Sequence, residues 1–560
     1  MELKNQTVTM NERLFLCFSV FIYSSLIVII ASFNGALGVP RNDDAFYIQT
    51  AFEFARTGRF VPVSSANMLI GQTILAYPLV SVFGESIAAL QIVNLLFAAV
   101  GICALYLAMR IFLNRLCSVV SIIPLALGPI YGNLSFSFMS DVQAFTFQAL
   151  SIFYFSKFIS NNRKKQSELN ISLIFAAVAF TIRQSSASVL FAIILTVLLL
   201  EKTTFKVRVL KKWISPMLAV IFCILIYVWR SNSDLFISSP TALDEIKSPI
   251  SWALRAVTQF SATYAIYLLP LMILISPKLI YTKINYVGRF VVALSGVLTL
   301  AIFILLRPEP NGNYFDKFVP YIATAYGSAD DLFSLNEWRF LKLISYFAST
   351  FFAMVVFAAL WRLFEKRILR INVESVPAFF SICVLINLLM LNTLTYGGGL
   401  DRHGLLMVPL LAAVIGRFVV SNNVHKIRSV SALVVCFLIA AIGIRTISAS
   451  TLFDGAKNEI AMLTVEKGVD AKSIDGGYEW FAFNQTDMVN PEVNIFDLWF
   501  ASNSKTSISN SDNLRMIHRI CYVTRLQNQS RNDKTVVTLD KEDIFGWKVH
   551  LEVQKLSFCP

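Results

Sequence analysis

Charge and histidine are what this chain has least of. Only 15% of its 560 residues are Asp, Glu, Lys or Arg, and the four histidines, His403, His425, His518 and His550, are scattered. No Cys/His metal spacing, phosphate-cradling glycine loop or Gly-x-Ser-x-Gly elbow occurs, which excludes the sites whose chemistry depends on those patterns. The run Gly397–Gly399 has no Lys-Ser context and reads as an outer turn. Six of the eight cysteines lie in or beside apolar runs, where Cys acts as a small hydrophobe. Cys521 and Cys559 share the polar tail and either pair in an oxidising compartment or stay as two thiols. A basic-aromatic stripe is also missing, which argues against nucleic acid as a partner despite a net charge of +13. From Thr451 onward there are 12 basic and 15 acidic residues, so the whole surplus sits in the apolar portion. There it serves membrane topology.

What the chain has instead is hydrophobicity: 56% of it is apolar, with 47 phenylalanines. Charge-free runs close to the roughly 20 residues that cross a bilayer recur along it. They predict about 13 transmembrane helices, beginning with Leu14–Phe33 and including Leu116–Tyr131, Val142–Ser156, Ile171–Ile182, Gln184–Leu200 and, last, Val430–Ile444. Lys4 and Arg13 precede the first run and no small-residue cleavage site follows it, so it is expected to be a retained helix. Lys and Arg concentrate in alternate loops, 21 of them on one side. The preference of basic residues for the cytoplasmic side then puts the amino terminus inside and the loop holding Asp43 outside.

Beyond Ile444 the composition turns polar. The expected fold is therefore an all-α polytopic membrane protein over residues 1–448, with outer juxtamembrane helices within 43–84. A small extracytoplasmic domain of α/β or α+β type follows over 449–560. Thr535–Leu539 is β-branched and Lys548–Leu556 alternates, which predicts strands. Weaker helical periodicity marks Lys457–Glu466 and Asn513–Ile520.

Polar residues at outer helix ends are the candidates for chemistry. The first set is Arg41-Asn42-Asp43-Asp44-Ala45-Phe46-Tyr47 and the second Met139-Ser140-Asp141. Ionised acids near hydrocarbon are costly and face water, a partner or a substrate. The plainer alternative is capping, by Asp44 of the stretch from Ala45 and by Asp141 of the span that follows it. Arg183 falls between two apolar runs; it, Arg402, Arg59 and Arg307 either meet an anionic substrate or snorkel to phospholipid phosphates.

Taken together, the acid pair after the first span, Tyr47, the amphipathic stretch ending in Thr57-Gly58-Arg59-Phe60, and Met139-Ser140-Asp141 resemble glycosyltransferases of the C superfamily. That group includes the aminoarabinose transferases that modify lipid A and the protein O-mannosyltransferases. The resemblance is best over about residues 12–200. Asp401-Arg402-His403 and Asp475-Gly476-Gly477-Tyr478-Glu479-Trp480 are similar in character to later segments of related members.

The resemblance implies transfer of a sugar from a polyprenyl-phosphate donor to a lipid, glycan or protein acceptor at the outer face of the membrane. Asp43 would be the base, Asp44 and Asp141 would orient the acceptor, and the anomeric centre would invert. Arg183, Arg402, His403, Arg59, Arg307 and Tyr47 would bind substrate or its phosphate. Lipid A-modifying relatives are expected to carry an acid-lysine pair before an Ile-Leu-x-Tyr stretch. Here Gly71-Gln72-Thr73 precedes Ile74-Leu75-Ala76-Tyr77, which weakens lipid A as acceptor and a metal at that place. No cofactor is required, with a divalent cation left open. A bacterial inner membrane is the expected location. The competing class is a transporter or flippase of a lipid-linked or small polar substrate, whose acids lie mid-span or at broken helices of an internal repeat; no repeat is seen.

Overall fold

The computed structural model describes residues 9–41, 44–61, 68–161, 165–200, 207–232, 249–275, 284–307, 335–365, 376–394, 404–420, 425–484, 521–526 and 534–556. Asp43, Arg402, His403, the run 397–399 and the expected helix at 513–520 lie outside these residues. The order is α1 (Met10–Phe33), α2 (Asp44–Thr57), α3 (Ile70–Phe83), α4 (Ile87–Arg110), α5 (Arg115–Leu127), α6 (Pro129–Ser135), α7 (Ser140–Ser160), α8 (Gln166–Ile182), α9 (Ala187–Leu200), α10 (Val207–Ser231) and α11 (Pro249–Leu274). Then come α12 (Tyr286–Leu306), α13 (Leu335–Glu365), α14 (Val376–Leu394), α15 (Met407–Val420), α16 (Lys426–Glu466), β1 (Ile474–Asp475), α17 (Tyr478–Asn484), β2 (Tyr522–Leu526), β3 (Lys534–Glu542) and β4 (Lys548–Lys555).

The chain is mostly helical, and its helices carry the marks of a membrane protein. Phe15, Phe18 and Phe21 on α1, Met217, Leu218 and Phe222 on α10, and Phe290, Val297 and Leu298 on α12 are all exposed. Outward apolar faces of this extent suit lipid, since helices satisfy their own backbone there. Among the described residues six helices are long and apolar enough to span, or seven if the bent pair α5–α6 is one span. Other expected spans are shorter apolar helices, Gln166–Ile182 and Gln184–Leu200 among them.

Two expectations are refined. Leu116–Tyr131, expected to be one span, is covered by the bent pair α5 and α6, which meet at 61°. The break falls at Gly128-Pro129, where Pro129 lacks an N–H and so opens a new helix. Gly128 is pressed so closely that a Cβ would come 2.3 Å from the Pro124 carbonyl and 2.5 Å from the Tyr267 ring. The second concerns the last helix, expected to end at Ile444 but unbroken to Glu466 over 41 residues. At about 1.5 Å per residue it is roughly twice the hydrocarbon thickness. Its far half is amphipathic, with Ala449, Leu452, Phe453, Ala456 and Ile460 on one face.

That face receives the sheet. Its strand order is β1-β2-β4-β3, with β1 parallel to β2 and the other neighbours antiparallel. Val549, Leu551 and Val553 of β4, with Val537 and Trp547, pack on the helix. Full burial of each such side chain is worth about 1.5–3 kcal/mol. Cys521, just before β2, is disulfide-bonded. The cysteines at 17, 103, 117, 223, 383 and 436 are free.

Candidate active site

The link between α1 and α2 is stitched down along its length. Asn34 donates to the Ser448 carbonyl at 2.9 Å and to Thr451 Oγ1 at 2.8 Å on α16. Gln91 of α4 accepts from Gly38 N at 2.9 Å and donates to the Val39 carbonyl at 2.7 Å. Arg41 follows, buried, with Nε 2.7 Å from Asp454 Oδ2, Nη2 2.5 Å from Ser450 Oγ and Nη1 3.4 Å from the Asn133 carbonyl. One guanidinium thus ties the loop to α16 and α6.

Asp44 opens α2 and is fully buried. Its Oδ1 accepts from Arg41 N at 2.5 Å and its Oδ2 from Phe138 N at 2.9 Å. Burial pushes its carboxyl well above the ordinary carboxylate range, and the nearby Glu479 charge adds to the rise; the two N–H bonds and the Arg41 charge pull the other way. Phe138 belongs to the turn between α6 and α7, and that turn is held from two further helices. Gln72 of α3 donates to the Phe138 carbonyl at 2.8 Å, and Asn94 of α4 bonds the Ser137 carbonyl. Gln72 stands where an acid-lysine pair was expected in lipid A-modifying relatives, and its task here is to hold a peptide group. Nothing in its spacing revealed that.

The braced turn delivers Asp141 to the first turn of α7, where the helix dipole favours a negative charge. Asp141 Oδ1 forms an ion pair with Arg183 Nη1, both side chains nearly buried. Arg183 sits in extended backbone between α8 and a short 3-10 turn at Gln184–Ser186. This peptide is packed against α3: Leu69 N bonds the Ile182 carbonyl at 3.2 Å, and a Cβ at Gly71 would fall 2.2 Å from Thr181 Oγ1. The structure therefore brings Asp44, Asp141 and Arg183 to one end of the bundle through the 137–141 turn.

A second cluster lies beside Asp44, and sequence inspection missed most of it. Lys457 Nζ on α16 is 2.6 Å from Glu479 Oε2 on α17, both side chains 4% exposed. A cavity of about 200 Å³ opens there, lined by Val39, Pro40, Asp454, Lys457, Glu479 and Trp480 among others. Glu479 and Trp480 belong to the Asp475–Trp480 segment singled out in the sequence. The signal that would have found the rest is Asp454 and Lys457, two opposite charges one helical turn apart.

Among the described residues, the remaining candidates are Tyr47, Arg59 and Arg307. Tyr47 is buried in the core of α2. Arg59 and Arg307 are exposed, Arg307 in left-handed backbone at the end of α12. Among the described residues no three His, Cys, Asp or Glu side chains are grouped so as to hold a metal ion.

Residues 75–229 match the family model described as dolichyl-phosphate-mannose-protein mannosyltransferase. The matched stretch contains Asp141 and Arg183 and begins after Asp44. No curated protein matches the chain in sequence. Similar solved structures include ArnT from Cupriavidus metallidurans bound to undecaprenyl phosphate, 8% identical, covering 97% of this chain and 99% of that one at a TM-score of 0.42. The oligosaccharyltransferase AglB from Archaeoglobus fulgidus, in complex with an inhibitory peptide and a dolichol-phosphate, is 12% identical over 91% of this chain and 70% of its own, at 0.42. The arabinofuranosyltransferase AftD from Mycobacteria is 11% identical over 98% of this chain and 40% of its own, at 0.40. The weight rests on the family model over 75–229 together with the acidic segments, and on those grounds the chain resembles the C-superfamily membrane glycosyltransferases.

Proposed function

We propose that this protein is a membrane glycosyltransferase that moves a sugar from a polyprenyl-phosphate donor to an acceptor hydroxyl on the extracytoplasmic face. The observation that carries the proposal is the 2.9 Å bond from Phe138 N to the Asp44 carboxylate. It joins the acidic start of α2 to the acidic start of α7, so that carboxylates and a guanidinium from separate helix tips share one end of the bundle. The family-model match over residues 75–229 adds support.

A polyprenyl phosphate is already a good leaving group. The enzyme has chiefly to take the acceptor proton and stabilise the phosphate as charge builds on it. In this scheme Asp43 accepts the proton of the attacking hydroxyl, and the acceptor oxygen bonds to the anomeric carbon. The carbon-phosphate oxygen bond breaks, its electron pair leaves with the polyprenyl phosphate, and the anomeric centre inverts. Asp141 orients the acceptor. Arg183 meets the phosphate, since its fork of five N–H donors exceeds what one carboxylate uses. Arg402 and His403 are further candidates for substrate contact. The reaction runs without a metal by default, with a divalent cation left open.

The proposal carries the topology expected from the loops: about 13 spans in residues 1–448, and a soluble outer unit in 449–560 on the far side of a bacterial inner membrane. The disulfide at Cys521 suits an oxidising outer compartment. The test is turnover of a panel of radiolabelled polyprenyl-phosphate sugars by the purified protein and by Asp43→Asn. Release of sugar by the wild type alone is expected. Equal release by both would remove Asp43 as base, and release by neither would remove the reaction.

A further inference from the structure

The cavity beside Asp44 has a chemistry of its own. Its charges are already matched inside the protein, Lys457 to Glu479 at 2.6 Å and Arg41 to Asp454 at 2.7 Å. A wall so neutralised offers little net attraction to a phosphate or to a cation. Its polar groups still have direction, because carboxylate oxygens accept, the ammonium donates, and the lining amides of Asn458 and Asn484 do both.

The rest of the wall is apolar and includes Trp480 and Phe483. The indole is pinned by its own N–H, which donates to the Ala471 carbonyl at 3.0 Å. Gly476 leaves room for it, since a Cβ there would meet Trp480 Cγ at 2.7 Å. A fixed aromatic wall beside paired donors and acceptors matches a molecule with a C–H face and a rim of hydroxyls. At about 200 Å³ the space is smaller than the roughly 300–1,000 Å³ of pockets that hold drug-sized ligands. One ring fits that scale better than a polyprenyl tail does.

We propose that this cavity is an acceptor subsite that takes a single uncharged, hydroxyl-bearing sugar ring, leaving the donor phosphate to bind elsewhere. The position supports it. Gly38, Val39 and Pro40 in its lining lead directly into Arg41 and Asp44, and the Glu479 charge is felt at the Asp44 carboxyl. The assignment rests on the glycosyl-transfer reading above and makes the acceptor a glycan or glycolipid in preference to a bare protein side chain.

Saturation-transfer NMR on the full chain in detergent tests it, with methyl glycosides of mannose, glucose, galactose and arabinose as probes and glucose 6-phosphate and glucosamine as charged controls. At least one neutral glycoside is expected to bind saturably, and about tenfold more tightly than either control. Met462, on the cavity rim and 48% exposed, can be enlarged without disturbing a buried group. Met462→Trp is expected to weaken glycoside binding by about tenfold or more, with the unfolding midpoint in detergent retained. Absence of saturable binding by every neutral glycoside, tighter binding of the phosphorylated sugar, or binding unchanged in Met462→Trp would each overturn the assignment. Failure of the wild type to release sugar from any donor counts against the transferase itself, whereas the binding titration decides the subsite separately.

Discussion

Asp44 and Asp141 lie in the first turns of two helices joined through the Phe138 turn and are both buried, yet they are held in different ways. Asp44 has a backbone N–H on each carboxylate oxygen. Asp141 has a guanidinium on Oδ1. A peptide N–H cannot swing away without unfolding its turn, whereas an arginine side chain can exchange one anion for another. The first arrangement fixes a loop against a helix end, and the second leaves a charge pair that a substrate phosphate can rearrange. The pair Asp43-Asp44 is therefore divided in its duties: Asp44 is the brace, and the chemistry proposed for the outer face falls to its neighbour.

The largest expected effect tests that division. Asp43→Asn should lower sugar transfer by about 10²–10⁴-fold, the usual worth of a general base, with the unfolding midpoint in detergent unchanged. If Asp141→Asn produced this loss and Asp43→Asn did not, the division would be wrong.

Next is Arg41. Its guanidinium reaches Asp454, Ser450 and the Asn133 carbonyl, and Arg41→Met would strand the buried Asp454 carboxylate. Breaking a buried pair from one side costs about 3–5 kcal/mol, so thermal unfolding should move down clearly. A stable Arg41→Met protein would mean that the loop is held well enough by Asn34, Gln91 and the Asp44 carboxylate without the guanidinium.

Arg183 should behave in the opposite sense. Arg183→Lys keeps the cation but loses the planar fork. About a tenfold loss in kcat/KM for the donor is expected, roughly 1.4 kcal/mol, with the unfolding midpoint retained. A loss of stability in place of the donor effect would make the Asp141–Arg183 pair another brace.

Much of this was legible in the chain, and the illegible parts share a cause. Apolar run length made the membrane helices readable, and period-two alternation in Lys548–Leu556 made β4 readable, because both report on local burial. The continuation of α16 to Glu466 showed only as weak helical periodicity over Lys457–Glu466, because the face that packs on the sheet is interleaved with Asp, Lys, Asn and Glu, so that average hydropathy fell while periodicity persisted. The acids at 44 and 141 stood out as charges at helix ends. Their partners did not, since Phe138 acts through its backbone and Gln72 through a bond to a peptide carbonyl. The Lys457–Glu479 pair is 22 residues apart and depends on how α17 folds back over α2, which no local pattern encodes.

The smallest expected effect is the most diagnostic of what kind of acid Asp44 is. Its carboxyl lies above the ordinary range because burial outweighs the two N–H bonds and the Arg41 charge. An acid whose folded pKa exceeds its unfolded value binds its proton more tightly in the fold. Its stabilising contribution is then complete below the unfolded pKa, near 3.9, and is lost as pH rises through the folded value. Asp44→Asn cannot ionise. It keeps one carbonyl oxygen for an N–H but turns an amide toward the other, a change worth about 1 kcal/mol. The stability of wild type relative to Asp44→Asn should therefore be greatest in acid and shrink toward neutral pH, as read from unfolding midpoints in detergent across a pH series. Should the difference grow with pH instead, the anion is the form the fold prefers. Asp44 would then stand with Asp141 as a charge available to substrate, and the contrast between the two acids would close.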